Sequence, residues 1–583
     1  MKADRYPSAV SLNEVLEARA KEDSKKLWLT LYYRDKVYRT LTYGELYEGA
    51  LGWAGEFMSR GISPGGRVLV ILPTGVPFYE SYLGVLLAGG IPVPLYPPIR
   101  MDRLGDYRRN LTHIVENSGA RFIVTDRKIR PFLGFAPEAV TAIVPSEVGK
   151  EAPGELPSVS GDHIALIQYT SGSTGAQKGA VITHENLLAN IRAIGKALDV
   201  REDDVAVSWL PLYHDMGLIG NMLGALYWGV ELVALSPIDF LRRPSRWLRM
   251  ISNSGGTISA APNFAYSLVS RKLRESEIAG LDLSRWRVAL CGAEPISAET
   301  VSHFTEKYAP FGFDSGAFFP AYGLAENTLA VTFSTLGKPP VMAEVDMEKL
   351  YLEGVVVEPA EGRKSRKIVS VGKPLDSVTV TIVGRDGVAL PSGHQGEVVV
   401  KGPSVMRGYW KNEEETGRAL KEDGLHTGDL GFTLDGDYFI CGRIKDLLIK
   451  GGRNYFAEDI EDAASQVDGV RQGGIAAFSV YGEGGDEEIV VIVEAVSHRE
   501  ELAAEVSKMV SEITGLRPDR VEVTSPKSIP KTSSGKLQRY KARQWYLEGR
   551  LGLGGKVSEV GFVTTLLGML KALFGADDKK GGK

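Results

Sequence analysis

A run of small and hydroxyl-bearing residues between Tyr169 and Gly179 could bind phosphate. Glycines let backbone N–H groups approach an anion closely, and side-chain hydroxyls and a lysine can complete the donors around its oxygens. The sequence contains no Walker A pattern, and a segment of this composition can also be an ordinary loop. The candidate phosphate ligands are Thr170, Ser171, Gly172, Ser173, Thr174, Gly175 and Lys178.

Four further motifs carry polar and charged residues that suit nucleotide chemistry. They are Ala321-Tyr-Gly-Leu-Ala-Glu326, His426-Thr-Gly-Asp429, Gly442-Arg-Ile-Lys-Asp446 and Pro530-Lys-Thr-Ser-Ser-Gly-Lys536. Together with the run at 169–179, they resemble the signature motifs of the adenylate-forming superfamily, which includes acyl-CoA synthetases, luciferases and peptide-synthetase adenylation domains. The resemblance covers about residues 10–548, and it implies ATP and Mg²⁺ as cofactors.

The resemblance also implies which residues bind the nucleotide. Glu326 is the implied Mg²⁺ ligand, and Mg²⁺ needs few carboxylates beside phosphate oxygens. Asp429 is implied to accept hydrogen bonds from the ribose hydroxyls, with Arg443 supporting the ribose or the α-phosphate. The implied walls of the adenine site are Gly292, Ala293, Glu294, Ala321, Tyr322 and Gly323. Taken singly, each of these residues could instead belong to a helix start, a turn or the core.

The same resemblance makes Lys536 the catalytic lysine that bridges the reacting carboxylate and the α-phosphate. A carboxylate attacking a phosphate brings two anions together, and their repulsion is several-fold larger in a low-dielectric site than in water. Positive charge is therefore required where the oxygens meet. Lys531 lies in the same motif, but Lys536 follows the glycine as the family lysine does. For an isolated lysine, a solvated surface position would be the ordinary interpretation.

Within the superfamily, the chain resembles the fatty acyl-AMP ligases most. The stretches that carry this resemblance are Leu210–Leu218, Phe240–Trp247 and Gly408–Trp410. A long interval after the Glu326 motif contains a candidate insertion at about Asp346–Lys367. In that group, an insertion at this place restricts the C-terminal domain and is linked to poor use of coenzyme A.

The implied reaction is ATP-dependent activation of a medium- or long-chain fatty acid to an acyl-adenylate, followed by transfer to an acyl-carrier protein or to a carrier domain of a polyketide or peptide synthase. A fatty acyl-CoA synthetase is the nearest alternative. A catalytically silent nucleotide- or lipid-binding module is the second, and the intact Lys536, Glu326 and Asp429 disfavour it. His214 is grouped with the catalytic residues because it is implied to lie at the mouth of the acyl pocket. We do not expect it to act as a general base, since a carboxylate needs no deprotonation at pH 7. The apolar run Leu218–Trp228 could contact the alkyl chain or belong to the core.

The elements that position these residues follow from hydrophobic periodicity. Short apolar runs such as Arg67–Pro73 and Val288–Cys291 alternate with helical patterns such as Leu41–Arg60, a βαβ rhythm typical of parallel, doubly wound sheets. Residues 376–400 have the pattern of antiparallel hairpins. With the resemblance, this predicts an α/β fold with doubly wound sheets, a small β-barrel and a smaller, mobile α+β C-terminal domain.

Three parts of the chain are expected. Residues 1–445 form the adenylation domain, residues 446–550 the mobile domain, and residues 551–583 a linker and an amphipathic tail helix. Asp446 is the implied hinge. Its alternative is a plain linker aspartate.

Composition sets broad limits on the function. The 583 residues carry a formal net charge of −5, which argues against nucleic acid as a partner, and the two cysteines argue against a disulfide framework. The sequence has neither a secretory leader pattern nor an apolar run long enough to span a bilayer, so we expect a cytoplasmic protein.

Two basic clusters and the tail could make further contacts. The basic residues between Lys527 and Arg550, and the four arginines between Arg242 and Arg249, could bind an acidic carrier protein or could be solvated surface. The helix at 560–574 could fold back on its own domain or lie on a membrane surface.

Overall fold

The computed structural model describes residues 2–98, 104–133, 140–149, 151–170, 177–450, 453–481, 487–496, 501–532 and 536–551. The predicted tail helix at 560–574 therefore lies outside the described residues. The chain divides into two compact units. The first comprises Met1–Asp126 and Phe135–Leu447, and the second comprises Arg127–Gly134 and Leu448–Lys583.

Some helices of the first unit begin at capping residues that the sequence supplies. Thr42 and Glu45 form a reciprocal capping box on the second helix, and Thr183 and Asn186 form another on the fifth. In chain order, the helices are α1 (Leu12–Glu22), α2 (Tyr43–Ser59), α3 (Val76–Leu87), α4 (Leu104–Ser118), α5 (His184–Ala197), α6 (Gly224–Trp228), α7 (Pro237–Arg242), α8 (Ser245–Ser254), α9 (Asn263–Lys272), α10 (Glu275–Ile278), α11 (Ala298–Tyr308), α12 (Met347–Glu353) and α13 (Glu413–Ala419).

The strands of the first unit are β1 (Leu27–Tyr33), β2 (Lys36–Thr42), β3 (Arg67–Ile71), β4 (Ile91–Pro94), β5 (Phe122–Thr125), β6 (Thr141–Ile143), β7 (Ile164–Thr170), β8 (Lys178–Thr183), β9 (Val205–Ser208), β10 (Glu231–Leu235), β11 (Ile258–Ala261), β12 (Val288–Cys291), β13 (Phe318–Gly323), β14 (Ala330–Phe333), β15 (Met342–Asp346), β16 (Ser365–Pro374), β17 (Thr379–Val383), β18 (Gly396–Lys401), β19 (Leu420–Lys421), β20 (Gly424–Leu434) and β21 (Asp437–Arg443). A parallel sheet has the order β4-β3-β5-β6, and β7 and β8 form an antiparallel pair. The largest sheet follows the path β17-β18-β20-β21-β16-β14-β13-β12-β11-β9-β10-β1-β2, with β15 paired to β16 and β19 to β20.

The middle of the large sheet is parallel and buried on both faces. Neighbouring residues of one strand belong to different cores, as Ala206 and Val207 do on β9 and Leu232 and Val233 do on β10. Side chains alternate across a strand, so each core covers one face. This double burial confirms the predicted α/β fold and explains the continuous apolar runs in the sequence.

The predicted small barrel takes a different form. β16, β17, β18, β20 and β21 pair antiparallel, as the hairpin pattern predicts, but they form the end of the same open path as the parallel strands. Among the described residues these strands do not close on themselves. β16 continues the path through β14, and this pairing joins the antiparallel end to the parallel middle.

The second unit has its own small core. Its strands are β22 (Leu447–Lys450), β23 (Arg453–Phe456), β24 (Val470–Tyr481), β25 (Glu487–Ala495) and β26 (Arg520–Thr524), and its helices are α14 (Ala457–Ser465), α15 (Leu502–Thr514) and α16 (Arg539–Leu547). Phe478 and Ile492 of the three-stranded sheet pack in one cluster with Ala542 and Trp545 of α16. Across the part of the chain that the structure describes, no helix has the length and apolar character needed to cross a bilayer.

Candidate active site

Two parallel strands bring the first group of predicted site residues together. β12 and β13 pair in parallel, with Cys291 opposite Pro320, so the residues that follow each of them lie at the same end of the two strands. A Cβ atom on Gly292 would lie 2.9 Å from the carbonyl oxygen of Ala321, closer than side chains ordinarily approach. A glycine at position 292 therefore permits the two chain segments to come this close.

The next two residues form the turn after β12. Ala293 has a φ of 68°, which is uncommon for a residue with a side chain. Oε1 of Glu294 accepts a 2.6 Å hydrogen bond from the backbone N–H of Phe264 at the start of α9. The Glu294 carboxylate thus fixes the turn after β12.

Asp429 is held between side chains from two different strands. It pairs with Arg443 across β20 and β21, and the Arg443 Nε lies 2.8 Å from its Oδ1. The hydroxyl of Tyr322, on β13, donates a 2.6 Å hydrogen bond to its Oδ2. The Asp429 side chain is only 4% exposed, whereas that of Arg443 is 49% exposed. Both carboxylate oxygens are therefore oriented, and each keeps a lone pair for another donor.

The charges of this trio support one another. Asp429 raises the pKa of the Arg443 guanidinium above its ordinary value. Burial raises the pKa of the Tyr322 hydroxyl well above its ordinary value, and the neighbouring carboxylate of Asp429 raises it further. Tyr322 therefore stays neutral and Arg443 stays charged at physiological pH, so both remain donors to Asp429.

The part of β20 that precedes Asp429 is anchored by one glutamate. The Gly428 N–H donates a 3.1 Å hydrogen bond to Oε1 of Glu397, and the Nδ1 of His426 lies 2.9 Å from the other oxygen of the same carboxylate. The hydroxyl of Thr427 accepts a 3.1 Å hydrogen bond from the Asp429 N–H. These contacts fix the backbone from which the Asp429 side chain projects.

Glu326 lies in a single 3₁₀ turn, Ala325–Asn327, just after β13. Its Oε1 accepts a 2.8 Å hydrogen bond from the Tyr409 hydroxyl, and its backbone carbonyl accepts one of 2.8 Å from the N–H of Met406. Its second carboxylate oxygen accepts no hydrogen bond from any residue in the described ranges. A half-buried carboxylate with one oxygen oriented and the other open fits Mg²⁺, which takes one or two carboxylates together with phosphate oxygens and water.

Lys178 stands on the other side of Tyr409. It begins β8 opposite Thr170 at the end of β7, so these two residues flank residues 171–177 in the sequence. Its ammonium pairs with the carboxylate of Glu415 on α13 and lies 5.2 Å from the centroid of the Tyr409 ring. Hydrogen bonding to Lys178 lowers the pKa of Glu415. The remaining predicted phosphate ligands lie outside the described residues: Ser171, Gly172, Ser173, Thr174 and Gly175.

His214 follows β9 and precedes a π-helical segment, Met216–Leu223. Its Nδ1 lies 3.0 Å from Oδ1 of Asp215, and its side chain is 27% exposed. In the apolar run Leu218–Trp228, side chains such as Leu218 and Leu226 are fully buried in the main core. Their burial supports the core alternative for this run.

Lys536 belongs to the second unit. Lys531 and Leu537 form an antiparallel bridge, the Lys536 N–H donates to the Thr532 hydroxyl at 3.0 Å, and the Thr532 N–H donates to the Lys536 carbonyl at 2.7 Å. Helix α16 begins three residues later, at Arg539. Asp446 ends a 3₁₀ turn, and the first unit ends at the next residue.

The candidate insertion forms an arm between two paired strands. β15 and β16 are antiparallel, and Asp346 lies directly opposite Ser365. The Asp346 side chain caps α12, in which Leu350 is buried. The backbone of the arm also pairs with the segment before β18, because the Val356 N–H donates to the Gly393 carbonyl at 2.8 Å.

Sequence reasoning missed Tyr409 and Glu415, which contact the predicted residues Glu326 and Lys178. Gly408-Tyr-Trp410 carried the resemblance to the fatty acyl-AMP ligases, but no role was predicted for its tyrosine. The run of three glutamates at 413–415 gives no sign of which one pairs with a lysine more than 200 residues away.

The whole-chain comparisons now decide the family. The profile described as "AMP-binding enzyme" matches residues 16–410, which is more than half of the chain. The chain belongs to the AMP-binding enzyme family. This confirms the resemblance inferred from the five motifs.

Members of the AMP-binding enzyme family are similar to the chain over nearly its whole length. It is 35% identical to the medium-chain-fatty-acid–[acyl-carrier-protein] ligase JamA of Moorena producens, with 94% of this chain and 96% of JamA covered. It is 33% identical to a putative acyl-CoA synthetase of Caulobacter vibrioides, covering 94% and 97% of the two chains. A solved structure from studies of fatty acyl-adenylate ligases of E. coli and L. pneumophila is 34% identical, with a TM-score of 0.88 and 94% and 99% coverage.

Proposed function

We propose that this AMP-binding enzyme activates a fatty acid with ATP and passes the acyl group to the phosphopantetheine thiol of a carrier protein. In the first step a carboxylate oxygen bonds to the α-phosphorus and the bond to pyrophosphate breaks. In the second step the thiol sulfur bonds to the acyl carbon, AMP leaves, and the thiol proton goes to solvent. The buried Asp429 carboxylate, held by Tyr322 and Arg443, is the observation that carries the proposal, in a chain similar throughout to ligases named for these steps.

Asp429 binds the ribose of ATP in this proposal. Its two oxygens point in fixed directions because Tyr322 and Arg443 each hold one of them. A preoriented acceptor loses little entropy when two neighbouring hydroxyls donate to it. Gly292 to Glu294 and Ala321 to Gly323 would form the walls for adenine at the adjacent sheet edge.

Glu326 would hold Mg²⁺ through its open carboxylate oxygen, and the metal would supply positive charge to the phosphate oxygens when bound. Thr170 and Lys178 would orient the phosphates together with segment 171–175. Lys178 would then exchange its Glu415 partner for a phosphate oxygen, which is chemically an exchange of one anion for another.

Lys536 would supply the charge that permits two anions to react. Its ammonium would contact the fatty carboxylate and an α-phosphate oxygen, which lowers the repulsion between them. His214 would line the mouth of the acyl pocket. Asp446 would act as the hinge between an adenylation domain, residues 1–445, and a mobile domain, residues 446–550.

A fatty acyl-CoA synthetase is the competing function, and similarity to the putative acyl-CoA synthetase of C. vibrioides favours it. Shortening the insertion arm tests whether the acyl group goes to coenzyme A or to a carrier protein. Because Asp346 and Ser365 face each other across β15 and β16, residues 347–364 can be replaced by a two-residue Asn-Gly turn. If the arm restricts coenzyme A use, the shortened protein forms acyl-CoA faster at an unchanged rate of adenylation. An unchanged ratio of acyl-CoA to acyl-carrier protein would show that the arm does not restrict the use of coenzyme A.

Fatty-acid-dependent exchange of labelled pyrophosphate into ATP tests the adenylation step. We expect exchange that requires the fatty acid, the divalent metal and the intact Asp429 carboxylate. Nucleotide binding without exchange, for any fatty acid from short to long, would instead establish the silent binding module.

A further inference from the structure

Tyr409 occupies a position between two opposite charges of the active site. Its hydroxyl donates to Glu326 at 2.8 Å, and the ammonium of Lys178 lies 5.2 Å from its ring centroid. Lys178 in turn pairs with Glu415 on α13. Two anions and one cation are thus arranged around one aromatic side chain.

The backbone of Tyr409 is fixed on both sides. The Val181 N–H donates to the Gly408 carbonyl at 2.9 Å, and the Trp410 N–H donates to the Gly179 carbonyl at 2.8 Å, so the segment pairs with β8. The Tyr409 N–H donates to the Thr416 hydroxyl at 2.9 Å. These bonds determine where the ring and its hydroxyl lie.

The hydroxyl of Tyr409 donates its hydrogen bond to one oxygen of the Glu326 carboxylate and thereby orients it. The N–H of Met406, in the same segment, holds the backbone carbonyl of Glu326 at 2.8 Å.

An unseparated carboxylate and ammonium in a partly buried site would pair, and their charges would cancel. Here the ring of Tyr409 lies beside Lys178, and Glu415 gives that lysine another partner. Glu326 is left with an open oxygen. We propose that Tyr409 is a positioning residue that keeps the Glu326 carboxylate oriented and unpaired for a divalent cation, and that Glu415 assists by holding Lys178. This inference rests on the metal-binding role of Glu326 in the proposed function.

The variant Tyr409→Phe tests it, since it keeps the ring beside Lys178 and removes only the hydroxyl. Binding of the non-reacting α,β-methylene analogue of ATP to the full chain is measured by calorimetry over a series of Mg²⁺ concentrations. We expect the half-saturating Mg²⁺ concentration to rise about tenfold, the effect of one hydrogen bond to a charged group. At saturating Mg²⁺, the affinity for the nucleotide should change by about twofold or less.

Tyr438→Phe is the matched control, because that hydroxyl also donates one hydrogen bond, 2.7 Å to the Val380 carbonyl, outside the site. It should leave the Mg²⁺ dependence unchanged. If Glu326→Gln shifts the Mg²⁺ dependence and Tyr409→Phe does not, the positioning role is overturned while the metal ligand stands. If Glu326→Gln also has no effect, the metal assignment in the proposed function fails as well. Equal shifts for Tyr409→Phe and Tyr438→Phe would reduce Tyr409 to a general structural contact.

Discussion

The acidic residues Asp429 and Glu326 lie in the same unit but are held in different ways. Asp429 is almost completely buried, and both of its oxygens have side-chain partners, one of them the cation Arg443. Glu326 is half-buried, and only Tyr409 donates to its carboxylate among the described residues. Lys178, the cation beside the Tyr409 ring, is paired with another carboxylate.

The difference matches two kinds of ligand. A carboxylate that receives neutral hydroxyls gains from being fixed in advance, and a neighbouring guanidinium offsets the cost of its burial. A carboxylate that binds a metal must keep its charge uncompensated, because a paired ion would have to be separated first. The protein therefore pairs Asp429 with Arg443, and it gives Glu326 no ion-pair partner among the described residues.

Lys536→Ala is expected to have the largest effect on the rate of adenylation. The effects of changing the Asp429 and Glu326 carboxylates can be compared with it. Adenylation should fall about 10²–10³-fold, as when a key electrostatic donor is removed, while the affinity for ATP changes little. Pyrophosphate release at saturating ATP measures it. Lys531→Ala, from the same sequence motif, is the control and should keep most activity. Full activity of Lys536→Ala, or an equal loss in both variants, contradicts the assignment.

Asp429→Asn tests the fixed carboxylate. Removing the charge weakens the hydrogen bonds to the ribose, so the dissociation constant for ATP should rise about 10- to 100-fold at every Mg²⁺ concentration. Calorimetry with the non-reacting analogue measures it. Asp437→Asn serves as the control, since Asp437 also accepts a side-chain hydrogen bond, 3.0 Å from Ser370, but is not one of the predicted site residues. An effect that disappears at high Mg²⁺ would assign Asp429 to the metal.

Glu415→Gln tests how the ion pair between Glu415 and Lys178 changes the free energy of unfolding with pH. Hydrogen bonding to Lys178 lowers the pKa of Glu415 in the folded state, so the pair stabilises the fold above the ordinary glutamate pKa. That stabilisation, about 1 kcal/mol or less for a partly exposed pair, is lost as the pH falls through the lowered value. Urea unfolding at pH 7 and in mild acid should therefore show a difference between wild type and variant that shrinks on acidification. Glu414→Gln, whose carboxylate is 73% exposed, should show a smaller difference. A difference that grows in acid contradicts the pairing.

Tyr322→Phe should have the smallest effect on catalysis. Arg443 still holds Asp429, so only one hydrogen bond is lost. We expect the free energy of unfolding to fall by about 1 kcal/mol and the dissociation constant for ATP to rise about fivefold. The control Tyr308→Phe loses a similar buried bond, 2.8 Å to the Val269 carbonyl, and should lower stability without changing ATP binding. Equal ATP affinity in the two variants would mean that Asp429 needs only Arg443.

The predictable parts of the fold are those in which local pattern and burial agree. Val288–Cys291 is predicted and observed as one strand, because a strand covered on both faces is an uninterrupted apolar run. The hairpin of β17 and β18 follows in the same way from its pattern and its turn. The open path of the antiparallel strands was not predictable, since it depends on the pairing of β14 with β16, residues distant in sequence.

In the candidate site, motifs identify residues but not their partners. Asp429 and Arg443 lie in two separate motifs, and only the register of β20 against β21 places them opposite each other. Glu294 was predicted to line the adenine site, but its hydrogen bond to the Phe264 N–H, a contact between distant turns, could not be read from its motif. Tyr409 and Glu415 could not be assigned for the same reason.

A two-stage product assay by mass spectrometry tests the central claim most directly. The protein is mixed with Mg²⁺, ATP and a panel of fatty acids, and the mixture is then divided between coenzyme A and a phosphopantetheinylated carrier protein. We predict acyl-adenylate in the first stage and acyl-carrier protein, with little acyl-CoA, in the second. Ready formation of acyl-CoA with no acylation of the carrier would contradict the proposed transfer and make the chain an acyl-CoA synthetase.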